Sequence, residues 1–226
     1  MNKAMGSAAA GSAPGVVTSG VVAADAVKLP LGLFGGRFDP VHRAHIAIAQ
    51  AVADQLGLHE VRWIVTGDPE HKPVIASPDD RLRMTRIALQ TLNDPRMVVD
   101  DREIRAAERG ESNFTADTVA GVLKEFPNRR LIWILGEDQL QHFLSWSRWD
   151  WLIHQVELAV CARPGAEGSR VANTIRSAGG VIHWVKIQPD SISSTEIRNA
   201  VQAGDLSEGL VPPKVADYIA DEQLYH

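Results

Sequence analysis

The stretch Leu29-Pro30-Leu31-Gly32-Leu33-Phe34-Gly35-Gly36-Arg37-Phe38-Asp39-Pro40-Val41-His42-Arg43-Ala44-His45 decides the fold. Leu29 to Phe34 is apolar and stops at two glycines, the pattern of a buried strand followed by a turn. Glycines there let the backbone turn tightly and approach a ligand closely. A helix starting near His42 aims its free N–H groups into the same space, and such a helix end attracts anions. His42 and His45 are three apart, so they share one helical face. Both can donate to phosphate oxygens, and imidazole carries partial or full positive charge near neutral pH. The turn suits a polyphosphate. Two other readings stay open from the residues alone: metal ligation together with Asp39, or capping and core histidines. The spacing is not the His-Glu-x-x-His of zinc peptidases, and no Gly-x-Gly-x-x-Gly dinucleotide fingerprint is present.

Working outward, strand and helix signals alternate. Ile46, Ala49, Ala53 and Leu56 mark one helical face. Strands are expected at Val61 to Val65, Met97 to Val99, Leu131 to Leu135, Val156 to Cys161 and Val181 to Val185. Ser77-Pro78-Asp79-Asp80 reads as a capped helix start, with proline in the first turn and acids at the positive end. Further helices are expected over Thr115 to Phe126, Val171 to Ala178, Ser193 to Ala203 and Pro213 to Asp221. The alternation predicts an α/β class: a Rossmann-like, doubly wound, mostly parallel sheet with helices on both faces, in a single domain. Ligands of such sheets sit beyond the carboxyl ends of the strands.

The composition narrows the function classes. Hydrophobic residues make up 45% and charged residues 23% of the 226, as in ordinary soluble globular proteins. A net charge of −5 gives no electrostatic reason to expect nucleic-acid binding. No run approaches the ~20 apolar residues of a membrane span. One cysteine, Cys161, forms no intrachain disulfide and no thiolate metal site by itself, so a reducing, cytoplasmic setting is expected. Residues 1–28 are dominated by Gly, Ala, Ser and Val and contain no Arg. Gly11, Ser12, Pro14 and Gly15 break any signal-like apolar run, so this segment is expected to be a flexible leader. Residues 29–226 then form the folded domain.

A second signal lies near the other end: Ile192-Ser193-Ser194-Thr195-Glu196-Ile197-Arg198. Ser193 and Glu196 make a capping-box pattern. The hydroxyls and N–H groups of Ser193, Ser194 and Thr195 form a second anion-attracting helix end, and Arg198 adds a planar fork of donors. A cap plus a surface arginine explains the segment alone, but explains it less well beside the first turn.

The pattern Gly-Gly-x-Phe-Asp-Pro-x-His-x-x-His, followed by Ile-Ser-Ser-Thr-x-Ile-Arg, resembles the nucleotidyltransferases with a His-x-x-His signature. It is similar in particular to the bacterial nicotinate-nucleotide adenylyltransferases. Further matches are Pro69-Glu70-His71-Lys72, Ser112 to Thr118, Gly136-Glu137-Asp138, Trp146 with Trp149, Arg163-Pro164-Gly165, and Leu210 through Tyr225. They extend the likeness over about residues 29–226.

The resemblance implies transfer of adenylyl from ATP to nicotinate mononucleotide, giving deamido-NAD and pyrophosphate without a covalent intermediate. It implies His42, His45 and Arg198 as catalytic groups. It implies Gly35, Gly36, Phe38, Asp39, Gly136, Asp138, Ile192, Ser193, Ser194 and Thr195 around ATP. Lys72, Phe114, Thr115, Trp146 and Ser147 are implied around the pyridine nucleotide. Mg²⁺ accompanies ATP, with no metal ligand assigned to the protein; neither nucleic acid nor membrane is an expected partner.

Several residues keep a structural alternative. Trp146 either stacks on the pyridine ring or anchors a loop, and Trp146, Trp149 and Trp151 cannot all stack on one ligand. Asp138 either meets a ribose hydroxyl or Mg²⁺ water, or is a helix-start acid. Lys72 either reaches a phosphate or is solvated. Three positions depart from the family pattern: Arg37 where Thr or Ser is usual, Ala44 where Gly is usual, and Phe114 where Tyr is usual. A pantetheine-phosphate adenylyltransferase shares the first motif without accounting for Thr115 and Trp146. A non-catalytic nucleotide sensor and a metal-dependent hydrolase are the other classes weighed.

Overall fold

A computed structural model of the chain describes residues 29–67, 75–111, 114–162, 168–188, 192–205 and 209–226. The expected leader, Lys72 and the Arg163-Pro164-Gly165 turn lie outside the described residues. In chain order the elements are β1 (Leu31–Gly36), α1 (Arg43–Leu56), β2 (Glu60–Val65), α2 (Pro78–Leu92), β3 (Met97–Asp100), α3 (Arg102–Glu108), α4 (Thr115–Glu125) and β4 (Leu131–Gly136). There follow α5 (Glu137–His142), a 3₁₀ turn (Phe143–Ser145), α6 (Trp149–Gln155), β5 (Glu157–Cys161), α7 (Arg170–Ser177), β6 (Ile182–Val185), α8 (Ser194–Gln202) and α9 (Pro213–Asp221).

The six strands form one sheet in the order β3-β2-β1-β4-β5-β6, and every pairing is parallel. This is the doubly wound architecture expected from the alternation of elements. Burial on both sides of the sheet explains the near-continuous apolar runs in its central strands. Within β1, Leu31 and Leu33 face one layer, built on α4, α5, α6 and α7. Phe34 faces the other, built on α1, α2, α8 and α9. A side chain at Gly32 would meet Leu58 at 2.8 Å, so the strand is glycine there to let the next element close down. Cys161 lies in the core of β5, its thiol pushed up to about 12 by burial.

Two local expectations are corrected. Gly35 and Gly36 belong to β1, paired with Ile64 and Val65 of β2, and make no turn. A Cβ on Gly35 would lie 2.9 Å from the Trp133 ring, and one on Gly36 would lie 2.8 Å from the Phe38 ring. Ring packing, therefore, is what excludes larger residues. The turn itself is made by Phe38, at φ 50, and a cis Asp39–Pro40 peptide. Three helices of six or seven residues, α3, α5 and α6, were not anticipated. Each spans at most two turns, too short for a 3.6-residue period to show in sequence.

The chain winds outward in both directions from the β1–β4 pair, and the crevice beyond the carboxyl ends of those two strands is where an open α/β sheet binds its ligand. Gly36 ends one strand and Gly136 the other.

Candidate active site

The β1–α1 turn places both histidines at that crevice. His42 is the N-cap of α1 and His45 its third residue. Their rings stack with centroids 3.7 Å apart and 27° between planes. The backbone N–H of His42 donates to Nδ1 of His45 at 3.2 Å. A nitrogen that accepts carries no proton, so the His45 proton sits on Nε2 and makes that edge a donor. Burial, then His42 and Arg37, push the His45 pKa well below the ordinary imidazole value. His45 is thus neutral at pH 7, with a fixed tautomer. Phe38 meets it edge-on at 5.1 Å and is itself 2% exposed. Phe38 is therefore the floor beneath His45.

Asp39 corrects another expectation. Its carboxylate faces the interior, not the crevice, and the residue is 1% exposed. It accepts from the backbone N–H groups of Ile75 (2.9 Å) and Ala76 (3.2 Å) and from the Tyr225 hydroxyl (2.8 Å). The side chain pins the turn to two distant segments. Both of its oxygens are engaged by protein donors, and its burial keeps them away from solvent.

The second motif docks directly onto this turn. Ser193 caps α8, its hydroxyl accepting from the N–H of Glu196, while Glu196 accepts back from the Ser193 N–H at 2.8 Å. Ser194 donates from Oγ to the carbonyl of Pro40 at 3.0 Å. Arg198 donates from Nη1 to the carbonyl of Asp39 at 2.8 Å and from Nη2 to Thr195 Oγ1 at 3.1 Å. The start of α8, with Arg198, is therefore bonded to the turn that carries the imidazole pair. Ile192 and Thr195 flank the same helix start.

On the β4 side, Gly136 is the N-cap of α5 and Asp138 lies in its first turn. A Cβ on Gly136 would be 2.7 Å from Asp138 Oδ1, so glycine here makes room for that carboxylate at the helix start. Asp138 lies in the first turn of α5, as the helix-start reading has it.

Of the residues expected around the pyridine ring, Phe114, Thr115, Trp146 and Ser147 are among the described residues. Thr115 opens α4, whose N-cap position is held by the exposed Phe114, a side chain with no acceptor for the helix N–H groups. Trp146 follows the 3₁₀ turn and packs on Phe143 at 5.0 Å and edge-on to Trp133 at 6.4 Å, leaving it part-exposed. Arg148 bridges to Asp117 in the first turn of α4 and lays its guanidinium over Trp151. That pair ties the Trp146-Ser147 loop to the helix end at Thr115. Trp146, Trp149 and Trp151 are all partly buried against the core, and Arg148 covers the ring of Trp151.

Sequence reasoning missed the supports beneath the site. Arg81, on α2, is fully buried. It donates to the carbonyls of Arg37 (3.0 Å), Thr66 (2.6 Å) and Gly67 (3.1 Å), gathering the chain beyond β1 and β2 into one clamp. Burial lowers its pKa, while Asp39 and Tyr225 oppose the shift. The signal was present: Arg81 shares a helical stripe with Met84, Thr85 and Ala88, and a charge on an apolar face needs buried partners. Glu103 is the other, 6% exposed, accepting from Thr118 Oγ1 at 2.6 Å. Burial pushes its carboxyl up to about 7.

No group of three or more His, Cys, Asp or Glu among the described residues is arranged to hold a metal ion. The donors converging on the crevice are imidazole N–H, guanidinium and helix N–H. That chemistry fits an anion.

A doubly wound parallel sheet, with an imidazole pair and a motif arginine meeting at its switch point, defines a nucleotidyltransferase-type domain. The family model described as cytidylyltransferase-like matches residues 33–200. A probable nicotinate-nucleotide adenylyltransferase of Bordetella pertussis is 39% identical over 86% of this chain and 97% of its own length. One from Neisseria meningitidis serogroup B is 35% identical over 86% and 98%. Among solved structures, a Plasmodium falciparum nicotinic acid mononucleotide adenylyltransferase complexed with NaAD superposes with a TM-score of 0.71 at 20% identity, covering 87% of this chain and 97% of that one. The chain belongs to the cytidylyltransferase-like family and, within it, to the nicotinate-nucleotide adenylyltransferases. No helix among the described residues is long and apolar enough to cross a membrane.

Proposed function

We propose that the protein transfers the adenylyl group of ATP to nicotinate mononucleotide, giving deamido-NAD and pyrophosphate. Family membership supports the reaction. The observation that carries the site is the pair of bonds from Ser194 and Arg198 to the carbonyls of Pro40 and Asp39, which unite the two phosphate motifs.

In the reaction an oxygen of the mononucleotide phosphate bonds to the α-phosphorus of ATP, and the bond from that phosphorus to the pyrophosphate oxygen breaks. The nucleophile is already ionised, so no strong base is needed. The obstacle is charge on the non-bridging and leaving oxygens, and positioned donors supply most of the acceleration. Neutral His45, its Nε2–H fixed in place, donates to the α-phosphate without having to gain a proton first. His42 stacks beside it, toward the leaving group. Arg198, Ser194 and the α8 helix end hold the β- and γ-phosphates. Mg²⁺ accompanying ATP would supply charge neutralisation at the phosphates, and no protein ligand is assigned to it. Trp146 stacks on the pyridine ring, and the α4 start at Thr115, with the backbone at Ser147, receives the nicotinate carboxylate.

Incubation with ATP, Mg²⁺ and nicotinate mononucleotide, with products identified by mass, tests the reading. Deamido-NAD and pyrophosphate in equal amounts are expected; no dinucleotide at any enzyme concentration would refute it.

A further inference from the structure

We propose that Tyr225 is a positioning residue for adenylyl transfer: through its hydrogen bond to Asp39 it holds in place the turn that carries His42 and His45 and seats Arg198. The proposal deepens the adenylyl-transfer reading and rests on it for the reaction.

The turn after β1 is suspended from outside. Its main-chain oxygens at Arg37, Asp39 and Pro40 accept from Arg81, Arg198 and Ser194 in turn. Asp39 adds a side-chain anchor to the same turn. Its carbonyl seats Arg198 while its carboxylate reaches inward, so a movement of that side chain passes both to the guanidinium and to the chain leading to His42. Oδ2 accepts from the N–H of Ile75 at 2.9 Å. Oδ1 accepts from the N–H of Ala76 at 3.2 Å and from the Tyr225 hydroxyl at 2.8 Å. The shorter bond on Oδ1 is thus the one from Tyr225. A carboxylate 1% exposed has no water to turn to when that bond is lost.

The chain around Tyr225 is bent to make this contact. Gln223 and Tyr225 both have left-handed backbones, with φ 52 and 68. That conformation is strained for a side chain as bulky as tyrosine. Such strain persists where the surroundings over-determine it, and it clusters at functional sites. The residue is 4% exposed, with its hydroxyl also 4.0 Å from Met84 Sδ of α2. A phenylalanine would fill the same space without burying a polar atom. The hydroxyl is therefore there for the carboxylate. Burial, then Asp39, push the phenol well above its ordinary value, so it keeps its proton and remains a donor.

Docking of α9 has its own contacts. Tyr218 donates to Asp80 Oδ1 of α2 at 2.9 Å, and Val215 and Ile219 are buried. One tyrosine holds the helix and the other holds the turn, which lets the two roles be tested apart.

The test compares Y225F and Y218F with the wild type by steady-state kinetics, calorimetric ATP affinity and melting curves. Y225F removes one oxygen and keeps the ring. Its kcat should fall by ~10-fold or more, the scale of a lost hydrogen bond to a charged group. The KM for ATP should rise and that for nicotinate mononucleotide should hold. Y218F should keep kcat and both KM values, whatever it loses in Tm. Should Y225F melt early, the same measurements in the cold, on the folded fraction, must still show the loss of kcat. Normal kcat and ATP affinity in folded Y225F, or an equal loss in Y218F, would overturn the proposal. A wild-type protein that forms no dinucleotide would refute the reaction instead. ATP affinity weaker in Y225F than in the wild type would then still uphold this assignment, and equal affinities would overturn it.

Discussion

Nη1 of Arg198 lies 2.8 Å from the main-chain oxygen of Asp39, 159 residues earlier in the chain. This bond makes one site of two motifs. It orients the guanidinium over the turn that carries His42 and His45, and it satisfies a carbonyl in a turn whose neighbouring Pro40 has no N–H to offer. Ser194 repeats the device at the next carbonyl. The two motifs are therefore joined through backbone carbonyls, which change little when side chains vary.

His45→Ala should lower turnover by about two orders of magnitude or more, the scale seen when a preorganised donor is lost at an oxyanion. The fold should survive, because the lost imidazole gives up edge contacts with Phe34 and Phe38, its stack on His42 and one hydrogen bond from the His42 N–H, while the strands and the α1 backbone are untouched. Steady-state rates and a melting curve check this. Near-normal turnover in a folded variant would remove His45 from the chemistry.

Catalytic efficiency should favour nicotinate over nicotinamide mononucleotide, since an uncapped helix start rewards a carboxylate more than an amide. Trp146→Ala should raise the KM for the mononucleotide with little effect on that for ATP. Equal efficiencies for the two pyridines, or a KM change confined to ATP, would contradict the placement of the ring.

Arg81→Met should destabilise the protein by about 3 kcal/mol or more, because three strand-end carbonyls lose their donor and the buried Asp39 loses a positive neighbour. For a domain of this size that is a fall of roughly 6–12 °C in Tm. A shift of only a degree or two would mean that water or neighbouring groups replace the clamp.

Glu103→Gln should change the pH dependence of stability. The folded carboxyl titrates at about 7, above its ordinary value of 4.5. Between those two pH values the folded state holds a proton that the unfolded state has released, so stability falls as pH rises through the window. The deficit is complete above about pH 7 and amounts to no more than about 3 kcal/mol. The glutamine variant lacks this term. Its Tm relative to wild type should be more favourable at pH 8 than at pH 5, and a difference flat in pH would show an ordinary carboxyl. His45 works the other way: its depressed pKa means stability is lost as pH falls below about 6.5, where the unfolded chain takes up a proton that the folded state refuses.

Local patterns carried much of this into the sequence. The Ser77 cap, the Ser193–Glu196 box and the α9 boundaries stand where the residues indicate, because caps and prolines act through neighbours one to three positions away. The short helices α3, α5 and α6 were illegible for the converse reason. Gly35 and Gly36 were legible as important but not as to why. Gly36 is constrained by the ring of Phe38, two residues on, which comes back over it only because of the turn between them; Gly35 is constrained by Trp133, and a ring arriving from another strand leaves no local mark.

By itself, the sequence determined the alternating α/β class, the strand-end location of the chemistry and the two phosphate motifs with His42, His45 and Arg198. These follow from periodicity and from residue types within a few positions of one another. Only the tertiary structure decided that Asp39 turns inward to Tyr225, that Arg81 gathers the strand ends, and that Arg148 ties the Trp146 loop to α4. Each of those depends on which face of the sheet a distant helix returns to, and that is set by burying the apolar surface of the whole chain at once.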